Sequence, residues 1–352
     1  MTIRSKAPLR LGLAGGGTDI ASYYREYGGS VLNASIDMYA YCTIEPGTAD
    51  GYVEFYAADM DTRERYAAGT PLPVDTKLKL HCGVYNRILR DFPAYAPRPP
   101  ASQNGAFAFT MTTYSDAPPG SGLGSSSTLV VAIIKAYVEY LNLPLGEYEI
   151  AALAYSIERE DLGLAGGKQD QYAATFGGFN FMEFYADEKV IVNPLRLKRW
   201  IRNELESSLV LYYTGVSRES ANIIKAQIKS TQSHDVKRLD SMHKIKASSL
   251  LMKETLLKGD FAGFSACLNE AWQAKKSAAD AISSPFIDLL YDFAIANGAE
   301  SAKISGAGGG GFMMIYCNPV NRVRLVNALK EKGGVIFNTS FTEIGTQAWT
   351  IY

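Results

Sequence analysis

Glycine in this chain is clustered, and the clusters limit what the chain can fold into more than any other feature. Three segments carry them: Gly15-Gly-Gly-Thr-Asp19, Pro118-Pro-Gly-Ser-Gly-Leu-Gly-Ser-Ser-Ser127 and Ser305-Gly-Ala-Gly-Gly-Gly-Gly311. In the middle one, Gly120, Gly122 and Gly124 allow positive φ and let backbone N–H groups turn inward. Directly after it, Leu129, Ile133, Tyr137 and Leu141 recur every four residues, with Val130 and Ile134 beside them. That period predicts a long, largely buried helix starting near Ser125. Its first turn holds Ser125, Ser126, Ser127 and Thr128, and no acidic residue follows until Glu139. The positive end of the helix therefore has no carboxylate to occupy it. A glycine loop opening onto such an end is an anion site of the kind a polyphosphate requires. A serine-capped helix after a flexible turn is the plainer alternative.

Two familiar phosphate signatures are excluded. No lysine follows the middle glycines, so the loop is not a P-loop of the G-x-x-x-x-G-K-[ST] type. Gly306, Gly308 and Gly311 match G-x-G-x-x-G, yet they lead into Phe312-Met-Met-Ile-Tyr316, a strand pattern. No acidic residue follows until Glu331, which disfavours a dinucleotide fold.

Composition removes further classes. Lys+Arg 35 against Asp+Glu 36 gives a net charge of −1, with no long-range pull on nucleic acid or anionic lipid. Cys42, Cys82, Cys267 and Cys317 contain no C-x-x-C pair, so they are expected to be reduced thiols and not a zinc site or disulfide framework. His81, His234 and His243 form no H-E-x-x-H motif, and no G-x-S-x-G occurs. The longest wholly apolar run, Leu129–Ile134, is far shorter than the ~20 residues of a membrane span. Met1–Pro8 lacks an apolar signal region, so a soluble, cytoplasmic protein is expected, with small-molecule partners and no nucleic acid or membrane.

Along the chain, residues 1–115 read mainly as strands and turns, with strands at Leu9–Leu13, Ala40–Ile44 and Tyr52–Tyr56. Pro93–Pro100 is a surface loop or connector. A second helix is expected over Leu145–Asp161, stopped by Gly163–Gly167, and a strand over Gly177–Tyr185. Ala186–Arg202 is charged and weakly patterned, a boundary between domains at 1–195 and 196–352. Beyond it come a strand at Leu209–Tyr213, helices across 218–297, strands at Ala302–Ser305 and Phe312–Tyr316, and a helix over 320–332. The mixture predicts an α+β fold in two domains.

The acidic residues Glu158, Glu160 and Asp161 close one helix, and Asp170 follows the turn Gly163-Leu-Ala-Gly-Gly-Lys168. A hard cation such as Mg²⁺ takes one or two carboxylates plus phosphate oxygens and hydroxyls. One carboxylate here could serve it while Asp170 orients or deprotonates an attacking hydroxyl. A charged, solvated helix end is the plainer reading.

Together and in this order, the segments resemble the GHMP kinase superfamily, whose members include galactokinase, homoserine kinase and mevalonate kinase. Ala7-Pro-Leu-Arg10 with Gly15–Asp19 matches its first motif, Pro118–Ser126 its second and Lys303–Gly311 its third. The resemblance implies a two-domain α+β GHMP kinase fold, with an N-terminal ribosomal-protein-S5-like nucleotide-binding domain and a C-terminal ferredoxin-like domain. It also implies ATP and Mg²⁺ as cofactors. Arg10–Asp19, Gly166–Tyr172 and Thr214–Ser220 look most like the D-glycero-D-manno-heptose 7-phosphate kinases, which phosphorylate an anomeric hydroxyl on the route to nucleotide-activated heptose for bacterial surface glycans. L-fucose kinases are the runner-up, and a non-catalytic sugar sensor is a further reading. Galactokinases carry Glu-His where this chain has Gly16-Gly17, a change that suits a larger sugar.

By position, the resemblance makes Asp170 the base and Arg10 the cation near the acceptor oxygen and γ-phosphate. Pro119, Gly120, Ser121, Gly122, Leu123, Gly124, Ser125, Ser126 and Ser127 would hold the nucleotide phosphates, joined by Gly308 and Gly309. Ser126 and Glu158 would bind the metal. Gly16, Gly17, Thr18 and Asp19 would hold the sugar, and Lys168 and Arg218 are candidate donors to a sugar phosphate.

Overall fold

The alternating run Leu9-Arg-Leu-Gly-Leu13 lies in β1 (Thr2–Ala14), a strand buried almost continuously from Ala7 onward. A computed structural model describes residues 1–47, 51–95, 108–216, 223–225, 228–229 and 235–352. β1 pairs antiparallel with β2 (Gly29–Pro46), and its register shifts between Pro8 and Arg10 and again between Gly12 and Ala14. Such irregularities re-aim side chains. Here they flank Arg10, whose backbone N–H donates to Leu123 O at 3.2 Å. β2 is the hub of the first sheet. Its C-terminal part pairs β5 (Phe109–Ser115) and its N-terminal part pairs β6 (Phe179–Phe184). β3 (Tyr52–Ala57) joins β5 in parallel and carries β4 (Thr62–Ala67), while β7 (Val190–Pro194) extends β6.

Helices cover this sheet. α1 (Ala21–Tyr27) and α2 (Lys79–Asp91) lie in the region expected to hold mainly strands and turns, and add two helices to it. The burial of His81, Cys82, Val84, Tyr85 and Ile88 on α2 follows helical spacing, a short pattern hidden among strand-forming residues. α3 spans Ser125–Leu141, as its period predicts, and packs Val130, Val131, Ile133, Ile134 and Tyr137 into the core. The helix expected over Leu145–Asp161 divides into α4 (Glu147–Ser156) and a π-helical turn, Ile157–Asp161. α5 (Gln169–Phe176) follows the glycine turn. Part of the Pro93–Pro100 loop, residues 96–100, lies outside the described residues.

The second sheet is antiparallel and built from β8 (Leu209–Tyr213), β9 (Ala299–Ile304), β10 (Phe312–Cys317) and β11 (Val335–Phe337), in the order β11-β8-β10-β9. α6 (Arg199–Ser208) precedes it, and helices Val236–Lys258, Phe261–Ala278, Pro285–Ala296 and Pro319–Lys330 accompany it. The α+β expectation therefore holds. The final strand β12 (Gln347–Ile351) pairs with Thr2–Lys6 of β1, returning the C-terminus to the first sheet. One apolar cluster joins the two halves, with Leu9, Leu11 and Leu13 packed with Leu211, Phe264 and Met314. Continuous burial of this kind resists separation of the halves. All four cysteines are buried and free.

Candidate active site

Where the two sheets meet, the three glycine segments border one cavity of about 610 Å³. Pro119, Gly120, Gly122, Gly124, Ser125, Ser126 and Ser127 line it from one side. α3 begins here with Gly124 in the left-handed region, no capping side chain and no acidic residue in its first turn. Its free N–H groups and positive dipole end thus face the cavity. Glycine is required where the second and third segments touch. A Cβ on Gly122 would stand 2.5 Å from Ser305 O, and one on Gly306 would stand 2.6 Å from Gly122 O.

Arg10 and Asp170 meet on the same wall. The guanidinium, 3% exposed, places Nε 2.8 Å and Nη2 2.6 Å from the single oxygen Asp170 Oδ1. Nη1 donates to Gly122 O at 2.8 Å, which ties the pair to the second glycine segment. Among the described residues, Asp170 Oδ2 has no hydrogen-bond partner, and it lies 3.3 Å from the point a Cβ on Gly124 would occupy. A carboxylate held by one oxygen, with the other near the start of α3, retains the capacity to accept a proton.

Asp19 closes the pocket opposite. Its carboxylate accepts from the backbone N–H groups of Gly17 and Gln169, each at 3.0 Å, and from Gln169 Nε2 at 3.3 Å. Burial pushes its pKa up, partly offset by those backbone donors. A Cβ on Gly167 would stand 1.9 Å from Asp19 Oδ2, so only glycine admits this carboxylate. Gly16 and Gly17 line the cavity beside it.

Glu158 enters from the π-helical turn and is 2% exposed. Ser127 Oγ donates to its Oε1 at 3.0 Å and Gln171 Nε2 to its Oε2 at 2.5 Å. Burial raises its pKa, against the pull of Arg159, Gln171 and Ser127. A buried carboxylate with serine hydroxyls at hand is an all-oxygen donor set, which fits a hard cation and no soft one. Among the described residues no group of three or more His, Cys, Asp or Glu forms a cage, so ligand oxygens would have to complete the coordination. Ser126 lines the cavity at the exposed helix start, while Ser127 is the serine that touches Glu158.

Several expected residues stand elsewhere. Thr18 Oγ1 donates to Gly15 O and lies 2.9 Å from Ser30 O, so it holds the turn and does not face the cavity. Ser121 and Leu123 are fully buried behind the loop, where Ser121 O accepts from Phe312 N at 2.9 Å. Gly308 and Gly309 pack against Ile282, whose carbonyl accepts from Gly309 N at 2.8 Å; Gly306 and Ala307 border the cavity instead. Lys168, the expected phosphate donor, does not line the cavity. Its ammonium sits 2.6 Å from Glu188 Oε2, over the rings of Tyr24 and Tyr155. Arg218 lies outside the described residues.

Sequence reasoning missed three contributors. Gln169 caps Asp19, and Arg159 clamps the 163–167 turn through Leu164 O at 3.2 Å and Gly167 O at 3.4 Å. Lys275 reaches the cavity from the helix Phe261–Ala278. Only the first had a sequence signal, its place beside Asp170.

Known proteins are similar to this chain in sequence and in fold. Residues 82–178 match the model of the GHMP kinases N terminal domain, and residues 252–335 that of the GHMP kinases C terminal domain. The chain is 49% identical over 350 residues to the Campylobacter jejuni protein named D-glycero-alpha-D-manno-heptose 7-phosphate kinase, covering 99% of each chain. It is 25% identical over 340 residues to the L-fucokinase/L-fucose-1-P guanylyltransferase of Bacteroides fragilis, spanning 93% of this chain and 36% of that one. A crystal structure of a D-glycero-D-manno-heptose 1-phosphate kinase from Bacteroides thetaiotaomicron superposes with a TM-score of 0.82 at 46% identity, covering 99% of each. With its two-domain fold, ordered glycine segments and uncapped helix start all in place, the chain belongs to the GHMP kinase family and is an ATP-dependent kinase.

Proposed function

We propose that this ATP-dependent sugar kinase phosphorylates the anomeric hydroxyl of D-glycero-D-manno-heptose 7-phosphate, giving the 1,7-bisphosphate for nucleotide-activated heptose and bacterial surface glycans. The single observation that carries the chemistry is the Asp170 carboxylate, pinned by Arg10 through one oxygen beside the open start of α3. The sugar assignment is supported by the 49% identity to the Campylobacter jejuni heptose 7-phosphate kinase and by the room that Gly16 and Gly17 leave.

Transfer of this kind is mostly positioning and charge stabilisation. The N–H groups of Gly120–Ser127 hold the β- and γ-phosphates. Asp19 and the glycine turn hold the sugar hydroxyls, and Arg10 offsets charge on the transferring group. Asp170 Oδ2 takes the anomeric proton, which is more acidic than those of other sugar hydroxyls. Ser126, Ser127 and Glu158 would hold Mg²⁺, which when bound neutralises phosphate charge. The proposed division of labour gives nucleotide and sugar binding to 1–195 and the third glycine segment to 196–352. No described helix is long and apolar enough to cross a membrane, and the proposed place of action is the cytoplasm, alongside its ATP.

Sugar-dependent ADP release across an acceptor panel tests the proposal. Turnover with heptose 7-phosphate and little with free heptose, L-fucose or galactose is expected. Preference for L-fucose would reassign the enzyme as a fucokinase, and no sugar-dependent ADP with any acceptor would make it a sensor.

A further inference from the structure

Two buried lysines come from the second half of the chain, and they are used differently. Lys303 is spent on structure: its ammonium donates to Gly12 O at 3.0 Å and Leu13 O at 2.9 Å, anchoring β1 against β9. Lys275, 5% exposed, donates to Gly306 O and to no other described residue. An ammonium has three donors, so two remain. Its Nζ is 4.0 Å from the point a Cβ on Gly16 would occupy, and it lines the cavity shared by Arg10, Asp19 and Asp170. It therefore stands between the glycine turn on the sugar side and the third glycine loop, which packs on the phosphate loop.

We propose that Lys275 is a catalytic residue, the second cation on the transferring phosphoryl group, supplied by the C-terminal half opposite Arg10. The proposal rests on the phosphotransfer reading but not on which sugar is the acceptor. In the step, the bond from the anomeric oxygen to the γ-phosphorus forms as the bond from that phosphorus to the β-bridging oxygen breaks. The hydroxyl proton passes to Asp170, ADP departs, and Lys275 keeps all its protons while its charge offsets that gathering on the phosphoryl oxygens. A buried ammonium is costly to keep unless it has a charge to meet. Burial, with the charge of Arg10, lowers its pKa to about 8 against the opposing pull of Asp19 and Asp170; Lys303 is the other cation within range.

The test compares Lys275→Met with the wild-type enzyme, using whichever acceptor the wild type turns over. We expect kcat to fall by roughly 100-fold or more, with the dissociation constant for ATP within a few-fold and a melting temperature equal or higher. A merely structural lysine would give the reverse: near-normal kcat and a lower melting temperature. If Lys275→Met fails to fold, Lys275→Ala with added methylammonium decides, since a saturable return of turnover supports the proposal and none overturns it. A wild type inert toward heptose 7-phosphate but active on another sugar corrects the substrate alone; an unimpaired Lys275→Met overturns the role of the lysine.

Discussion

Arg10–Asp170 and Lys168–Glu188 are both close ion pairs with a buried cation, and both approach to 2.6 Å. They differ in how the carboxylate is occupied. Glu188 is saturated: Lys168 and Tyr24 share Oε2 and Arg25 takes Oε1. Asp170 gives both Arg10 contacts one oxygen and keeps the other turned toward the cavity. A saturated pair fixes structure, whereas a half-used carboxylate still has capacity for a proton. Two cations that look equivalent in sequence thus do different work, and the partner's spare valence separates them.

The largest effect should come from removing that capacity. Asp170→Asn keeps the side-chain shape and a hydrogen bond to Arg10, so ATP affinity should hold while kcat falls about 1,000-fold, within the range for a lost proton acceptor. Single-turnover kinetics check it, and near-normal turnover would erase the distinction between the pairs. Lys168→Met should do the opposite. It should leave kcat and both KM values within about two-fold and cost about 1–2 kcal/mol of stability, less than a fully buried pair because half of Glu188 faces water. Denaturant melts measure this, and a selective rise in the acceptor KM would return Lys168 to the sugar site.

The smallest effect lies in acid. Burial pushes Glu188 up, but the Lys168, Tyr24 and Arg25 donors outweigh it and hold its carboxyl at about 2, below the ordinary 4.5. The unfolded chain then binds more protons in that window, so this contribution is complete above about pH 4.5 and fades as pH falls toward 2. Burial lowers His81 from 6.5 to about 4, so its loss of stability begins earlier, as pH drops below 6.5. Lys168→Met should flatten only the lower window and leave the His81 window unchanged, as melts against pH would read.

The second glycine segment and the helix behind it were legible because their determinants are local. Glycines that permit positive φ, a four-residue apolar period and the lack of an early carboxylate all sit within one segment. α2 was missed because thirteen residues of helix lie between strand and proline signals, and its buried face includes a histidine and a glycine that read as polar or breaking. In the third glycine cluster Gly308 and Gly309 are the expected phosphate contacts, yet Gly306 and Ala307 border the cavity, since Gly308 and Gly309 are turned onto Ile282.

Sequence alone determined the α+β class and the helix start at Ser125, while resemblance to the GHMP kinases pointed to Arg10, Asp19, Glu158 and Asp170 as the groups to watch. Periodicity and loop chemistry act over a few residues and leave their mark in composition and spacing. Tertiary structure decided which oxygen of Asp170 stays free, that Lys168 belongs to Glu188, that β12 returns to β1, and that Lys275 and not its neighbour Lys276 enters the site. Lys276 turns instead to Asp288 at 3.2 Å. Those outcomes depend on contacts between segments far apart in the chain, where packing and partner geometry, not local pattern, set which way a side chain faces.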